Sequence, residues 1–127
     1  MASLRLVAVT LMAMSAVMLT GCVQYATYTD LEGERDAADQ LPELEEYAYE
    51  SLDASTSRFV GEHDGTSLWL AKGDEANSAC LVAQRGDDWV VGCGGRMSGG
   101  PGSFEIHPDG AVVPEGATQV SENVYAW

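Results

Sequence analysis

Hydrophobic and polar positions divide the chain into three stretches with different periods. Leu6 through Leu19 is almost wholly apolar and follows a start whose one base is Arg5, the layout of an export signal. At its end come Gly21 and the polar Gln24, so the run is marginal against the roughly 20 apolar residues a permanent membrane-spanning helix needs. From Thr29 to Asp53 acids dominate, yet Leu41, Leu44, Tyr47, Ala48 and Leu52 recur at spacings of three and four. That is the helical period. Pro42 suits a first helical turn, and Glu43, Glu45 and Glu46 favour the positive end of a helix dipole. A short helix is therefore predicted near 42–52, with its apolar stripe against the domain that follows.

From Ser57 onward the period falls to two. Arg58 to His63 and Thr66 to Ala71 flank Asp64-Gly65, a strong two-residue hairpin signal. In an unbroken register Phe59 and Gly61 share a face with Leu68 and Leu70, and Val60 shares the other with Trp69. A second turn centred on Gly86-Asp87, with Gly first as a type II′ turn prefers, sets Cys80 opposite Cys93, Val82 beside Val91 and Gln84 beside Trp89. Counting outward from the turn makes 80:93 a non-hydrogen-bonded pair, whose Cα atoms approach to about 4.5 Å, within reach of a disulfide. A third hairpin is expected from Ser103–His107, the turn residues Pro108-Asp109-Gly110 and Ala111–Val113. The tail from Thr118 to Trp127 offers a further strand. The glycines between Gly92 and Gly102 read as a mobile connection. The fold class expected is α+β: a small antiparallel β-meander of five to seven strands with one short acidic helix packed on a face.

The apolar leader ends in Leu19-Thr20-Gly21-Cys22, which resembles the lipobox of bacterial lipoproteins. The resemblance covers about the first 22 residues and implies diacylglyceryl transfer to the Cys22 sulfur and cleavage before it. Three cysteines in an exported chain leave an odd thiol, and lipidation of Cys22 removes it, so Cys80 and Cys93 remain as a pair. Three regions follow: a signal peptide at 1–21, an acidic tether at 22–56 holding the short helix, and a β-rich domain at 57–127. Residues 23–36 as a flexible chain would span about 20 Å. The mature part also resembles small, cysteine-paired envelope proteins of high-GC Gram-positive bacteria, through Arg58-Phe-Val-Gly61, Leu68-Trp-Leu-Ala71, Cys80-Leu-Val-Ala83 and Trp89-Val-Val-Gly-Cys-Gly-Gly95. That likeness implies no activity.

Charge narrows the partners. Cleavage removes one of the six basic residues and none of the 20 acidic ones, leaving a net charge of −15. Such a chain lacks the basic surface that neutralises phosphates, so nucleic acid is not expected as a partner. Catalytic signatures are sparse. Ser98 and Ser103 lack a Gly-x-Ser-x-Gly setting, the glycines do not follow a phosphate-loop spacing, and no Asp-x-Asp-x-Asp-Gly run offers a calcium loop. Two cysteines without a Cys-x-x-Cys spacing make a poor zinc site. His63 and His107 each precede a turn containing Asp-Gly, and Arg96 lies in the glycine-rich stretch, so these three are the candidate ligand surface. The expected function is a non-enzymatic binding or interaction module held by its lipid on the outer face of the cell membrane, with an unidentified protein or small-molecule partner and no cofactor beyond the covalent diacylglyceryl group. One alternative is a small enzyme or metal-binding module using His63 and His107. The other is an accessory subunit or inhibitor of an envelope complex.

Overall fold

The structure, a computed structural model, describes residues 25–127. The signal peptide expected at 1–21 and the lipidation expected at Cys22 lie outside the described residues. Among the described residues, eight antiparallel strands form two four-stranded sheets. The first sheet is a meander of β1 (Leu52–His63), β2 (Thr66–Gly73), β3 (Ala79–Arg85) and β4 (Asp88–Cys93). The second holds β5 (Arg96–Gly99), β6 (Gly102–Ile106), β7 (Thr118–Gln119) and β8 (Val124–Ala126), in the spatial order β5-β6-β8-β7.

Two of the expected hairpins are present. Asp64 and Gly65, with φ of 48° and 79°, make the β1–β2 turn, and His63 pairs with Thr66 beside it. Gly86, with φ of 57°, opens the β3–β4 turn, and the register runs from Arg85 opposite Asp88 to Cys80 opposite Cys93. The first hairpin departs from the unbroken register at Val60. Phe59 pairs with Trp69 and Gly61 with Leu68, so Val60 is one residue extra on β1, a β-bulge. Because side-chain direction alternates, the bulge reverses the expected facing. Val60 packs with the Leu68 and Leu70 core, and the Phe59 ring lies against Trp69 at 5.5 Å.

The third hairpin does not form. β6 pairs with β5 on one side and β8 on the other, and no strand is assigned at Ala111–Val113. Its partner comes instead from the glycine-rich stretch that reads as a mobile connection. Gly94 and Gly95, both at positive φ (74° and 62°), turn the chain sharply from β4 in the first sheet to β5 in the second. Glycine is also required by proximity: a Cβ on Gly92 would stand 2.9 Å from Met97 Sδ. These residues let the sheets close on each other.

β3 is buried on both faces, which explains the unbroken apolar run from Ala79 to Ala83. Leu68, Leu70, Leu81 and Ala83 face Met97, Phe104, Ile106 and Val124 of the second sheet. On the opposite face Ala71, Cys80 and Val82 are covered by Leu41, Leu44 and Tyr49 from the acidic segment. That segment meets the domain as expected but not as a helix. It contains only short 3-10 turns at Thr29–Leu31, Ala37–Asp39 and Glu46–Tyr49, and no α-helix is present among the described residues, so the α+β expectation gives way to an all-β head. An isolated helix of a few turns is marginal in water, and here like charge adds to the cost. The Tyr49 hydroxyl takes over, accepting from Leu44 N–H at 2.8 Å and donating to the Pro42 carbonyl.

The stretch expected as a solvated tether is likewise bound to the head from Thr27 on. Asp36 caps the second 3-10 turn by accepting from Ala38 N–H at 2.8 Å. Buried Asp39 accepts from the amides of Asp36 and Phe59, each at 2.9 Å. Burial alone would raise the Asp39 carboxyl, but those two N–H groups, with Arg58 and Arg35 nearby, hold it below the ordinary carboxylate value. Arg35 donates to the Ser57 carbonyl and Arg58 to the Gly33 carbonyl, which ties the acidic segment to β1.

Candidate functional site

The Cys80–Cys93 disulfide joins β3 to β4 with Cα atoms 4.0 Å apart. Its 13-residue separation closes a short loop, and in the chain-entropy picture such a cross-link contributes about 3 kcal/mol by restricting the unfolded chain. Cys80 is fully buried under the acidic segment, while Cys93 is exposed at the sheet's end.

His63 and His107 are placed in different sheets. His63 ends β1, and its Nε2 lies 3.3 Å from the Asp64 carboxylate. His107 follows β6, with Nε2 3.1 Å from Glu105 Oε1 and its ring edge-on to Tyr125 at 5.3 Å. The Pro101 carbonyl, just before β6, accepts from Thr66 beside the β1–β2 turn, whereas His107 stands just past the far end of β6. Each imidazole thus has its own carboxylate partner. No group of three or more His, Cys, Asp or Glu suited to a metal ion occurs among the described residues. Arg96 is also engaged, its guanidinium 4.1 Å above the Trp127 ring.

What the structure does assemble is a cleft of about 460 Å³ between residues 26–32 and the β2–β3 loop. Ala26, Tyr28 and Leu31 make it partly apolar, and Lys72, Asp74 and Glu75 bring charge to its rim. Its wall exists because a polar network clamps the 27–31 segment to the second sheet. Asn123, fully buried, donates from Nδ2 to the His107 carbonyl (2.9 Å) and to Asp109 Oδ1 (2.8 Å), and its Oδ1 accepts from Asp30 N–H (3.0 Å). Asp30 accepts in turn from the Asn123 amide and Ser121 hydroxyl. Asp109 accepts from the amide and hydroxyl of Thr29, and its own N–H donates to the Thr27 carbonyl at 2.9 Å. Sequence reading misses this network, since most of the chain separates Asp30 from Asp109 and Asn123 and nothing in their local pattern marks the three as partners.

The network has a pH signature. The Asn123 amide, and then the Thr29 N–H and hydroxyl, lower the Asp109 carboxyl from 3.8 to about 2. A carboxylate depressed in the folded state stabilises it fully above the unfolded value and loses that contribution as pH falls through the folded one. Melting temperatures of the wild-type head should therefore drop between pH 4 and 2, and Asp109→Asn should flatten that part of the profile. Parallel profiles for the two proteins would refute the assignment.

No helix of the described residues is long and apolar enough to cross a membrane. Compared with protein-family models, curated proteins and solved structures, the chain matches none.

Proposed function

We propose that this chain is a membrane-anchored extracytoplasmic lipoprotein whose all-β head is a non-enzymatic binding module. The observation that carries the reading is the disulfide. It uses both cysteines of the head and leaves Cys22, in Leu19-Thr20-Gly21-Cys22, as the cysteine outside the pair. Structural disulfides persist in oxidising, extracytoplasmic compartments, which is where a lipobox sends a protein. A covalent diacylglyceryl group supplies two acyl chains, enough for stable anchoring at about 0.8 kcal/mol per buried CH₂. The partner in this reading is a protein or small molecule, and the partly apolar cleft of about 460 Å³ between residues 26–32 and the β2–β3 loop supports a small ligand.

Cys22→Ser tests the anchor. In the native host the wild-type protein should partition into the detergent phase and the variant should lose that partitioning on the order of 10-fold or more, as loss of both acyl chains demands. Equal partitioning of the two proteins would refute the proposal.

A further inference from the structure

Large apolar side chains exposed on the head are Tyr25, Tyr47, Phe59, Val112 and Val113. Tyr47 lies against Trp89 and Phe59 against Trp69, each pair with ring centroids 5.5 Å apart. Of the remaining three, Tyr25 lies where the chain enters the head, and Val112 and Val113 follow Asp109 in the loop that runs on to Glu115 beside Trp127. Tyr25, 69% exposed, lines a shallow cleft with Pro108 and Asp109, and Val112, 88% exposed, follows Asp109 by three residues. Asp109, bonded to Thr27 and Thr29, holds the entering segment against the start of that loop, and three residues of chain keep Val112 within about 10 Å of Asp109. The loop between, Gly110-Ala-Val-Val-Pro114, carries no charge in a chain whose net charge is −14.

Exposed valines need a reason, and the sequence brings one surface close to the neighbouring Tyr25. Only Val23 and Gln24 separate Cys22 from Tyr25, so even a fully extended backbone keeps Tyr25 within about 10 Å of Cys22. We infer that Tyr25, Val112 and Val113 form a membrane-contacting edge that rests in the headgroup region of the bilayer holding the Cys22 acyl chains. The inference rests on the lipid-anchor reading above. Tyrosine suits that depth because its ring is apolar and its hydroxyl stays wet. Two valines and a tyrosine are too little apolar surface to hold a free protein on lipid. Tethered this closely, at the high effective concentration a short linker gives, they need only orient a head that is already there. Net negative charge repels anionic headgroups, so the matching surface is zwitterionic.

Orientation gives the test two ends. Ala26 lines the same cleft as the β2–β3 loop, and the Gly86-Asp87 turn lies at the other end of β3, about 20 Å away along the strand. Lipidated mature protein carrying Val112→Cys or Asp87→Cys, labelled with an environment-sensitive fluorophore while the native disulfide stays oxidised, is reconstituted into phosphatidylcholine vesicles. The label at 112 should brighten at least twofold and shift to the blue, while the label at 87 stays at its value in buffer. Lipidated protein that floats with vesicles but gives matching signals at both positions overturns the edge and leaves the anchor standing. Lipidated protein that fails to float with the vesicles overturns the anchor reading, and this inference with it. A signal at 112 that rises with protein concentration in the absence of vesicles assigns the patch to a second copy of the chain and likewise overturns the membrane edge.

Discussion

Phe104→Ala is expected to remove about 3–5 kcal/mol of unfolding free energy, the usual cost of deleting a buried phenylalanine ring. Phe104 is 1% exposed in β6, opposite Met97 on β5 and Ala126 on β8. Its ring belongs to the cluster formed with Leu68, Leu70 and Leu81 of the first sheet, so it fills the space where the two sheets meet. Neighbours on short strands closed by tight turns cannot collapse into the vacancy, which puts the loss toward the upper part of that range. Domains of this size have about 5–15 kcal/mol in all, and the variant should be close to unfolded at physiological temperature. Urea unfolding followed by circular dichroism measures the loss. Phe59→Ala is the control, because that side chain is 39% exposed and touches the outer face. Equal losses from the two would contradict a core between the sheets.

Asn123→Ala should cost about 2–4 kcal/mol, since a buried side chain that satisfies several partners leaves each of them stranded when it goes. The Asp30 amide loses its acceptor, and the His107 carbonyl and Asp109 carboxylate lose a donor. The effect should also be local. Amide hydrogen exchange at Thr29–Leu31 should accelerate more than at Leu81 or Val82, because Asn123 holds the 3-10 turn to the second sheet while β3 is secured by two neighbouring strands. Asn123→Asp should be worse at neutral pH, where it brings a third carboxylate to Asp30 and Asp109. Uniform acceleration across the head would show that Asn123 supports the whole fold and not this strap.

Legibility in the sequence followed the range of the interactions. The β3–β4 hairpin could be read residue by residue because a two-residue turn fixes register, and register fixed the disulfide partners. The bulge at Val60 is hidden from local pattern, and the residue that follows it, Gly61, is approached closely by Val120 from far along the chain. Leu41, Leu44, Tyr47, Ala48 and Leu52 have a helical spacing, but it is Leu41 and Leu44 with Tyr49, from outside that series, that cover a flat sheet face from a chain with little regular structure, while Tyr47 is exposed, so period alone misleads. At the β4–β5 connection Gly94-Gly95 has the form of a two-residue hairpin turn, yet it carries the chain from one sheet to the other and does not pair the flanking strands. The number of glycines around it suggested flexibility, where tight packing of Gly92 on Met97 was the reason for one of them. At the candidate site the sequence marked His63, His107 and Arg96, which the structure gives to Asp64, Glu105 and Trp127. The cleft beside the N-terminal strap depends on Asp30, Asp109 and Asn123 meeting across the fold, and no local pattern encodes that meeting.

The intact mass of the protein purified from its native host under non-reducing conditions bears most directly on the whole interpretation. Chain starting at Cys22, heavier by a diacylglyceryl group and lighter by the two hydrogens of one disulfide, is the predicted species. Protein that retains residues 1–21, or that begins at Cys22 with a free thiol, would contradict it.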